Sequence, residues 1–257
     1  MSTQNELAQT FAALHVAGNP LVLFNAWDAG SALAVANAGA AAIATGSWSV
    51  AAAHGAGDGR KLPFDLAMAN LARIVASVPL PVSVDLESGY GDAPEAIFRA
   101  ASAAVAAGAI GFNLEDQIVG GDGLYSVADQ ALRLTAARQA ADAAGVPAFI
   151  NARTDLFLKA AATTHDSALV EAALARAHAY AAAGANGFFA PGLVDEHLIA
   201  TLCKACPLPV NIMVATPSAA TQRLGGLGVA RISYGPNPYR QAMKFLEDVA
   251  RLAFSTK

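Results

Sequence analysis

The 257-residue sequence predicts a single α/β domain, a (β/α)8 barrel of the TIM type, and three observations predict it. Short β-rich runs alternate eight times with longer alanine-rich segments, the pattern of a parallel sheet covered by helices. Several helical segments end in small-residue joints that feed the next strand: "NAGAAAIA", "AAGAIGFN", "AAGANGFF" and "LGGLGVARI". Glycine takes the positive φ of a helix C-terminus without a Cβ clash. No linker or low-complexity tract divides residues 1–257, a length that one barrel fills. An open doubly wound sheet is the alternative, but no GxGxxG follows the first strand.

The elements follow in order. Strands are predicted at 21–27, 41–47, 81–87, 111–116, 148–154, 187–191, 209–214 and 230–234, each a short run rich in β-branched and other apolar residues. Helices are predicted at 29–38, 63–77, 94–107, 126–144, 166–183, 194–205, 217–225 and 239–253. Asp92-Ala93-Pro94-Glu95 and Ser126-Val127-Ala128-Asp129 read as capping boxes at two of the helix starts. Apolar residues make up 55% of the chain and aromatics 7%, so much of the apolar content is alanine, which suits helices lying close on a sheet.

Composition excludes several function classes. A formal charge of −4 argues against a nucleic-acid or anionic-membrane partner. No run of about 18 uninterrupted apolar residues calls for a membrane span. The start, "MSTQNELAQTFAALH", lacks a basic stretch leading into an apolar one, so a cytoplasmic location is expected. Cys203 and Cys206 form a lone CxxC late in a predicted helix, with no second pair to complete a zinc set, and read as ordinary reduced thiols.

Chemistry on such a barrel lies at the C-terminal strand ends. Strand 1 ends in Asn25, Trp27 and Asp28; strand 2 in Thr45, Gly46, Ser47 and Trp48, with His54 and Asp58 beyond. Strand 3 ends in Asp85 and Glu87, strand 4 in Asn113, Glu115 and Asp116, and strand 5 in Asn151, Arg153 and Asp155. The opposite ends are almost bare of acids. Several buried carboxylates repel and raise one another's pKa, and a bound cation removes that conflict. Oxygen ligands without a Cys or His cluster favour Mg2+ or Mn2+ over zinc. Alternation along a strand makes Asp85 and Glu87 point together, as do Asn113 and Glu115, and Arg153 and Asp155. Arg153 brings a planar fork suited to a carboxylate; its other reading is a structural ion network that neutralises the acids.

At these residues the sequence resembles a known family. "VDLESGYGD", "GFNLEDQ" and "INARTD" are similar to the strand 3, 4 and 5 motifs of the isocitrate lyase / phosphoenolpyruvate mutase superfamily, and "LFNAWDAGSALAVANAGAAAIATGS" to its opening strands. The resemblance implies a barrel whose last helix is often exchanged between subunits, a homo-oligomer, and Mg2+-dependent enolate chemistry on a small 2-oxo acid or 2-hydroxy di- or tricarboxylate. It implies that Asp85 touches the metal and that Asp58, Glu87 and Glu115 act through metal-bound waters. It implies that Arg153 holds a substrate carboxylate, that Thr45, Gly46, Ser47 and Asn113 line the substrate, and that Arg153, Glu115 and Asp58 carry catalysis. C–C cleavage or decarboxylation is the expected reaction; P–C bond chemistry and a non-catalytic 2-oxo acid binder are the alternatives.

The sequence also departs from the family. Its lyases follow strand 4 with a loop bearing a catalytic cysteine, whereas here "IVGGDGLYSVAD" has no Cys, His or Lys. Gly120, Gly121 and Gly123 make either a short lid or a tight connection, and Asp122 and Tyr125 are its only proton-bearing candidates. Pro191 stands past strand 6 where family members often carry an acid or histidine. No lysine lies within a predicted strand, which argues against a Schiff-base aldolase. The loop after strand 7 offers only Thr216 and Ser218 to a phosphate. Among the remaining polar residues, Asp92 reads as a helix cap and Asp116 as a group behind the site. His15, His165, His178 and His197 read as surface or capping residues, and Tyr234 or Asn237 as candidates for the mouth.

Overall fold

The computed structural model describes residues 2–216 and 220–255. The strands are β1 (Leu21–Leu23), β2 (Ile43–Ala44), β3 (Val82–Asp85), β4 (Gly111–Glu115), β5 (Phe149–Arg153), β6 (Gly187–Phe189), β7 (Val210–Met213) and β8 (Arg231–Ser233). The helices are α1 (Gln4–Ala13), α2 (Ala29–Asn37), α3 (Ser47–Ala53), α4 (Phe64–Ser77), α5 (Pro94–Ala106) and α6 (Val127–Ala143). They continue with α7 (Leu156–Lys159), α8 (Ser167–Ala182), α9 (Glu196–Ala205), α10 (Ala220–Gly226) and α11 (Asn237–Ser255). All eight strands are parallel, in the order β1-β8-β7-β6-β5-β4-β3-β2. A single bridge from Ala26 to Thr45 joins the two outer strands and closes the sheet on itself. This is the predicted barrel. No helix among the described residues is long and apolar enough to cross a membrane.

Each predicted strand contains an observed one, and all eight observed strands are shorter. The polar residues at the strand ends add side-chain bonds to a backbone ladder that runs on past the assigned strands, where Thr45 N–H donates to the Ser83 carbonyl and Leu86 N–H to the Asn113 carbonyl. Asn25 Oδ1 accepts from the amides of Tyr234 and Gly235, and Asp85 N–H donates to Thr45 Oγ1 at 3.0 Å. Ser47, predicted to end strand 2, instead begins α3, a helix absent from the sequence reading. The first residues of the predicted helix 217–225 lie outside the described ones. The Ser126 cap forms as predicted, its hydroxyl accepting from Asp129 N–H. The Asp92 box does not: Ala93 occupies the cap of α5, and the Asp92 carboxylate accepts from Tyr125 Oη and Arg60 instead.

The core lies between the barrel and its helices, with alanine-rich faces of α5, α6 and α8 buried against the strands. At the N-terminal end of the barrel, α1 forms a plug. Gln4 Nε2 donates to the carbonyls of Val105 and Ala109, and Phe11 packs edge-on against Phe149 at 5.6 Å. His15 is not a surface residue. It is buried and stacked on Phe149 with centroids 4.0 Å apart, and burial, with Arg231 nearby, pulls its pKa down to about 3. A neutral ring results, which suits an apolar plug.

Helix α11 is the exception to this burial. Only Pro238 on it is buried, while Phe245, Leu246, Val249, Leu252 and Phe254 are exposed. Near its root, a groove of about 1000 Å³ runs along the outer side of β1 and α2, lined by Leu14, Val22, Phe24, Ala34, Val35 and Met243 among others. The barrel thus leaves an apolar trough uncovered and holds an apolar helix away from its own core.

Candidate active site

The C-terminal mouth of the barrel holds a cavity of about 200 Å³. Seven of the predicted residues meet there: Thr45, Gly46, Ser47, Asp58, Asp85, Asn113 and Arg153 all line it. Strand β3 delivers Asp85. Its Oδ2 accepts from Ser47 N–H at 3.1 Å and from Ser47 Oγ–H at 2.7 Å, so the start of α3 fixes the carboxylate plane. Its Oδ1 is buried and has no hydrogen-bond partner. A buried, unsatisfied acceptor is costly, and a cation at the mouth would satisfy it. Asp58 is exposed at the cavity edge.

Glu87 and Glu115 stand behind this layer and do not line the cavity. Strand alternation does not set the direction of Glu87, although it and Asp85 line one small cavity together with Ser47 and Tyr90. The strand ends at Asp85, and Glu87 takes the left-handed φ of 52° in the turn that follows. Its carboxylate accepts from Arg60 N–H and lies beside Tyr90. Burial drives its pKa up to about 7; the Arg60 amide opposes this and the charges of Asp85 and Asp58 add to it.

Arg153 on β5 serves three carboxylate contacts. Its Nε and one terminal nitrogen fork onto Asp155 at 2.6 and 3.0 Å, and the other reaches Glu115 at 2.9 Å. One guanidinium cannot neutralise both acids. Asp155 has the fork; Glu115 keeps a single contact in a buried setting, and desolvation holds its carboxyl well above the usual range. The acids around Arg153 outweigh its own desolvation and hold its pKa above the ordinary value. Of its five N–H donors, three are used in these contacts. Two remain for a ligand. Both sequence readings of Arg153, network member and carboxylate fork, therefore coexist. Asp116 lies behind, as expected: it accepts from Asp155 N–H, Arg176 and Tyr180 Oη.

Below the mouth the barrel interior is polar where branched apolar side chains are the norm. Asn151 Nδ2 donates to Asn113 and Asn211, and Arg231 donates to Asn113 Oδ1 at 3.3 Å. Arg231 is fully buried, with Nε and one terminal nitrogen unpartnered. Desolvation lowers its pKa and Asp85 opposes that fall. The sequence reading missed this cation; its signal was an arginine inside a predicted strand, two residues before Ser233, which lines the cavity.

Apart from Asn25, the rest of the lining is apolar or small: Trp48, Leu158, Phe189, Pro191, Met213, Pro236, Ser233 and Gly235. Trp48 also meets Tyr239 and the Arg240 guanidinium, so it packs and lines at once. Tyr234 turns outward onto Phe24, Asn237 binds the Tyr234 carbonyl, and His54 holds the Val50 carbonyl; none of the three lines the cavity. The strand 4 loop is a tight reversal bridged from Gln117 to Leu124. The cysteines are free, and burial lifts their pKa values to about 12 and about 11, as expected of unreactive thiols.

Among the described residues, no three His, Cys, Asp or Glu side chains converge as a ready metal cage. The oxygen-only set with one free Asp85 oxygen fits a cation that keeps several waters, which is the habit of Mg2+.

Comparison with known proteins agrees with this architecture. The profile of the family described as phosphoenolpyruvate phosphomutase matches residues 11–254. A Burkholderia cenocepacia protein of solved structure, provisionally named a phosphonomutase, is 54% identical with a TM-score of 0.95, covering 98% of this chain and 100% of that one. The 2-methylisocitrate lyase of Salmonella typhimurium is 29% identical over 251 residues, 94% of this chain and 82% of the lyase. A phosphonopyruvate hydrolase solved with oxalate and Mg++ shares the fold at 20% identity, with a TM-score of 0.83 over 97% of this chain and 87% of that one.

Proposed function

From the premise that the chain belongs to the phosphoenolpyruvate phosphomutase family, within the superfamily of isocitrate lyase and phosphoenolpyruvate mutase, we propose that it is a Mg2+-dependent carbon–carbon lyase or decarboxylase acting on a small 2-oxo or 2-hydroxy acid. The observation that carries this reading is the unpartnered Asp85 Oδ1 beside two free N–H donors of Arg153 in one cavity. Mg2+, or Mn2+ in its place, supplies a Lewis acid that stabilises an enolate at a 2-oxo carboxylate. Asp85 would hold it directly, with Asp58 at the cavity edge acting through its waters and Glu87 and Glu115 bearing on the site from behind the lining.

The chain's own groups have separable tasks. Ser47 orients Asp85 through two hydrogen bonds. Arg153 binds and orients the substrate carboxylate with its free edge, and Asp155 locks the other edge in place. Thr45, Gly46 and Asn113 line the carboxylate end. Glu115, buried behind the lining and held above the usual carboxylate range by desolvation, braces the third nitrogen of Arg153. Asp58 sits at the open edge, where proton exchange with water is easy.

A second reading, a barrel that binds a 2-oxo acid without turning it over, is favoured by one observation. The described lining residues include no Cys, His or Lys to replace the missing loop acid. P–C bond chemistry is the third reading, after the name of the Burkholderia relative. A turnover assay on oxaloacetate, 2-methylisocitrate and phosphonopyruvate, with Mg2+ and with EDTA, separates the three. Mg2+-dependent product from a carbon substrate supports the lyase; phosphate release from phosphonopyruvate, or binding without product, overturns it. A cytoplasmic homo-oligomer, with α11 laid into the trough of a second copy, completes the proposal.

A further inference from the structure

We propose that Arg231 is a positioning residue for this site. From beneath the mouth it fixes the Asn113 amide with its nitrogen toward the cavity, and so presents donors to the anionic oxygens at the metal-facing end of the ligand, where carboxylate and enolate lie together. The inference rests on the 2-oxo acid reading above and deepens it at the same site.

Arginine donates hydrogen bonds and never accepts them. Arg231 lies on β8, and Ser233, two residues on and on the same face, lines the cavity. The Arg231 side chain crosses the barrel to β4, with one terminal nitrogen 3.3 Å from Asn113 Oδ1 and the guanidinium 5.9 Å from the Phe11 ring of the plug. A group that only donates turns the oxygen of the Asn113 amide toward itself. Asn151 Nδ2 donates to that same oxygen at 2.9 Å and to Asn211 Oδ1 at 3.1 Å. Asn211 Nδ2 donates in turn to the carbonyls of Ile212 at 3.0 Å and Arg231 at 3.2 Å, which can only accept. Each amide of the layer therefore has one permitted sense. Asn113 Nδ2 faces away from the layer, no hydrogen bond among the described residues uses it, and Asn113 lines the cavity. Ser233 Oγ accepts from Asn211 Nδ2 at 3.2 Å, which leaves its own hydrogen for the mouth.

The donors stand in the right place. Asn113 is the ladder partner of Asp85, whose Oδ1 is unpartnered. A ligand oxygen drawn to a cation on Asp85 meets the Asn113 amide on the adjoining strand, and both attract negative charge. Donors fixed in advance where charge develops favour an enolate over the neutral ketone. Stability does not account for the layer. Arg231 is 1% exposed, its Nε and Nη1 are unpartnered, and so is Asn151 Oδ1. A buried cation without a carboxylate is a cost that an apolar side chain of similar volume avoids. The sheet even makes room for the layer: a Cβ on Gly187, the β6 partner of Asn151, would fall 2.7 Å from Asn151 Oδ1.

Isothermal titration with saturating Mg2+ tests this with oxalate and oxamate, two planar probes of one shape. Oxamate replaces one carboxylate of oxalate by an uncharged amide. Arg231→Met should lose at least about tenfold in oxalate affinity, and the preference for oxalate over oxamate should shrink by about fivefold or more. Its affinity for Mg2+ alone should equal or exceed that of wild type, because a nearby positive charge is gone, and it should unfold at the same or a higher temperature. A folded Arg231→Met with the wild-type preference, or one weakened equally toward both probes, overturns the inference and leaves the parent reading standing. Asn113→Asp keeps the oxygen that faces Arg231 and replaces the cavity-facing donor by a carboxylate oxygen. It should bind oxalate at least about tenfold more weakly; wild-type affinity contradicts the sense assigned to the amide. Failure of both probes to bind wild type, or binding indifferent to Mg2+, overturns the parent reading and the inference with it.

Discussion

Replacing Leu246 and Leu252 on α11 by aspartate should turn the protein into a monomer. Leu246 is 60% exposed and Leu252 69% exposed, on a helix whose only buried residue is Pro238. Full burial of a leucine is worth ~2 kcal/mol. Seating α11 in the trough of a second copy would therefore gain ~1.2 kcal/mol at Leu246 and ~1.4 kcal/mol at Leu252. A reciprocal exchange counts each twice, ~5 kcal/mol in all, or a dissociation constant raised about 4,000-fold. Two buried aspartates add a desolvation penalty in the same direction. Sedimentation velocity over a concentration series reads the change directly. A variant with the wild-type sedimentation coefficient and a dissociation constant within about tenfold of wild type would refute the reasoning, as would a wild-type chain that is monomeric at about 100 μM.

The pH response follows from Glu87. Its folded pKa, about 7, lies above the ordinary 4.5, so the folded state holds the proton more tightly. The stability that Glu87 contributes, read by urea unfolding in EDTA as the difference between wild type and Glu87→Gln so that the opposite trend of buried His15 cancels, should then fall as pH rises from about 5 to about 8, by up to ~3 kcal/mol; a difference that rises over that window contradicts the burial argument. Arg153→Lys keeps the charge and loses the fork, so Asp155 and the ligand compete for one ammonium. Ligand affinity measured by titration should drop by ~2 kcal/mol or more, and an unchanged value would remove Arg153 from the binding role. Tyr125→Phe deletes a bond to the exposed Asp92 carboxylate and should cost less than ~1 kcal/mol in thermal unfolding, with Mg2+ affinity unchanged. A large loss of Mg2+ affinity would mean that the strand 4 loop reaches the metal.

The barrel was legible because its signals are local and repeat eight times. Alanine-rich helices, glycine joints and the strand-end acids all follow from short-range pattern, and Thr45, Asp85, Asn113 and Arg153 meet at the mouth as that pattern requires. What escaped the sequence depends on where the backbone leaves the pattern. Glu87 looked like a strand residue, yet it lies in the turn after β3 with a left-handed φ. Asp92 preceded a helix and was read as its cap, but a distant tyrosine and arginine claim its carboxylate. His15 lies just past α1, and only the plug geometry buries it on Phe149. The apolar residues of the lining come from the ends of β6 and β7, from α7 and from the root of α11, elements far apart in sequence whose meeting no local period encodes.

The central claim is that Asp85 anchors a divalent cation that a 2-oxo acid needs in order to bind. Isothermal titration of pyruvate and oxaloacetate into wild type and Asp85→Ala, each with Mg2+ and with EDTA, measures it directly. The account predicts binding by wild type with Mg2+ alone, and none by a folded Asp85→Ala under either condition. Unchanged Mg2+-dependent binding by Asp85→Ala, or equal binding by wild type in EDTA, would contradict it.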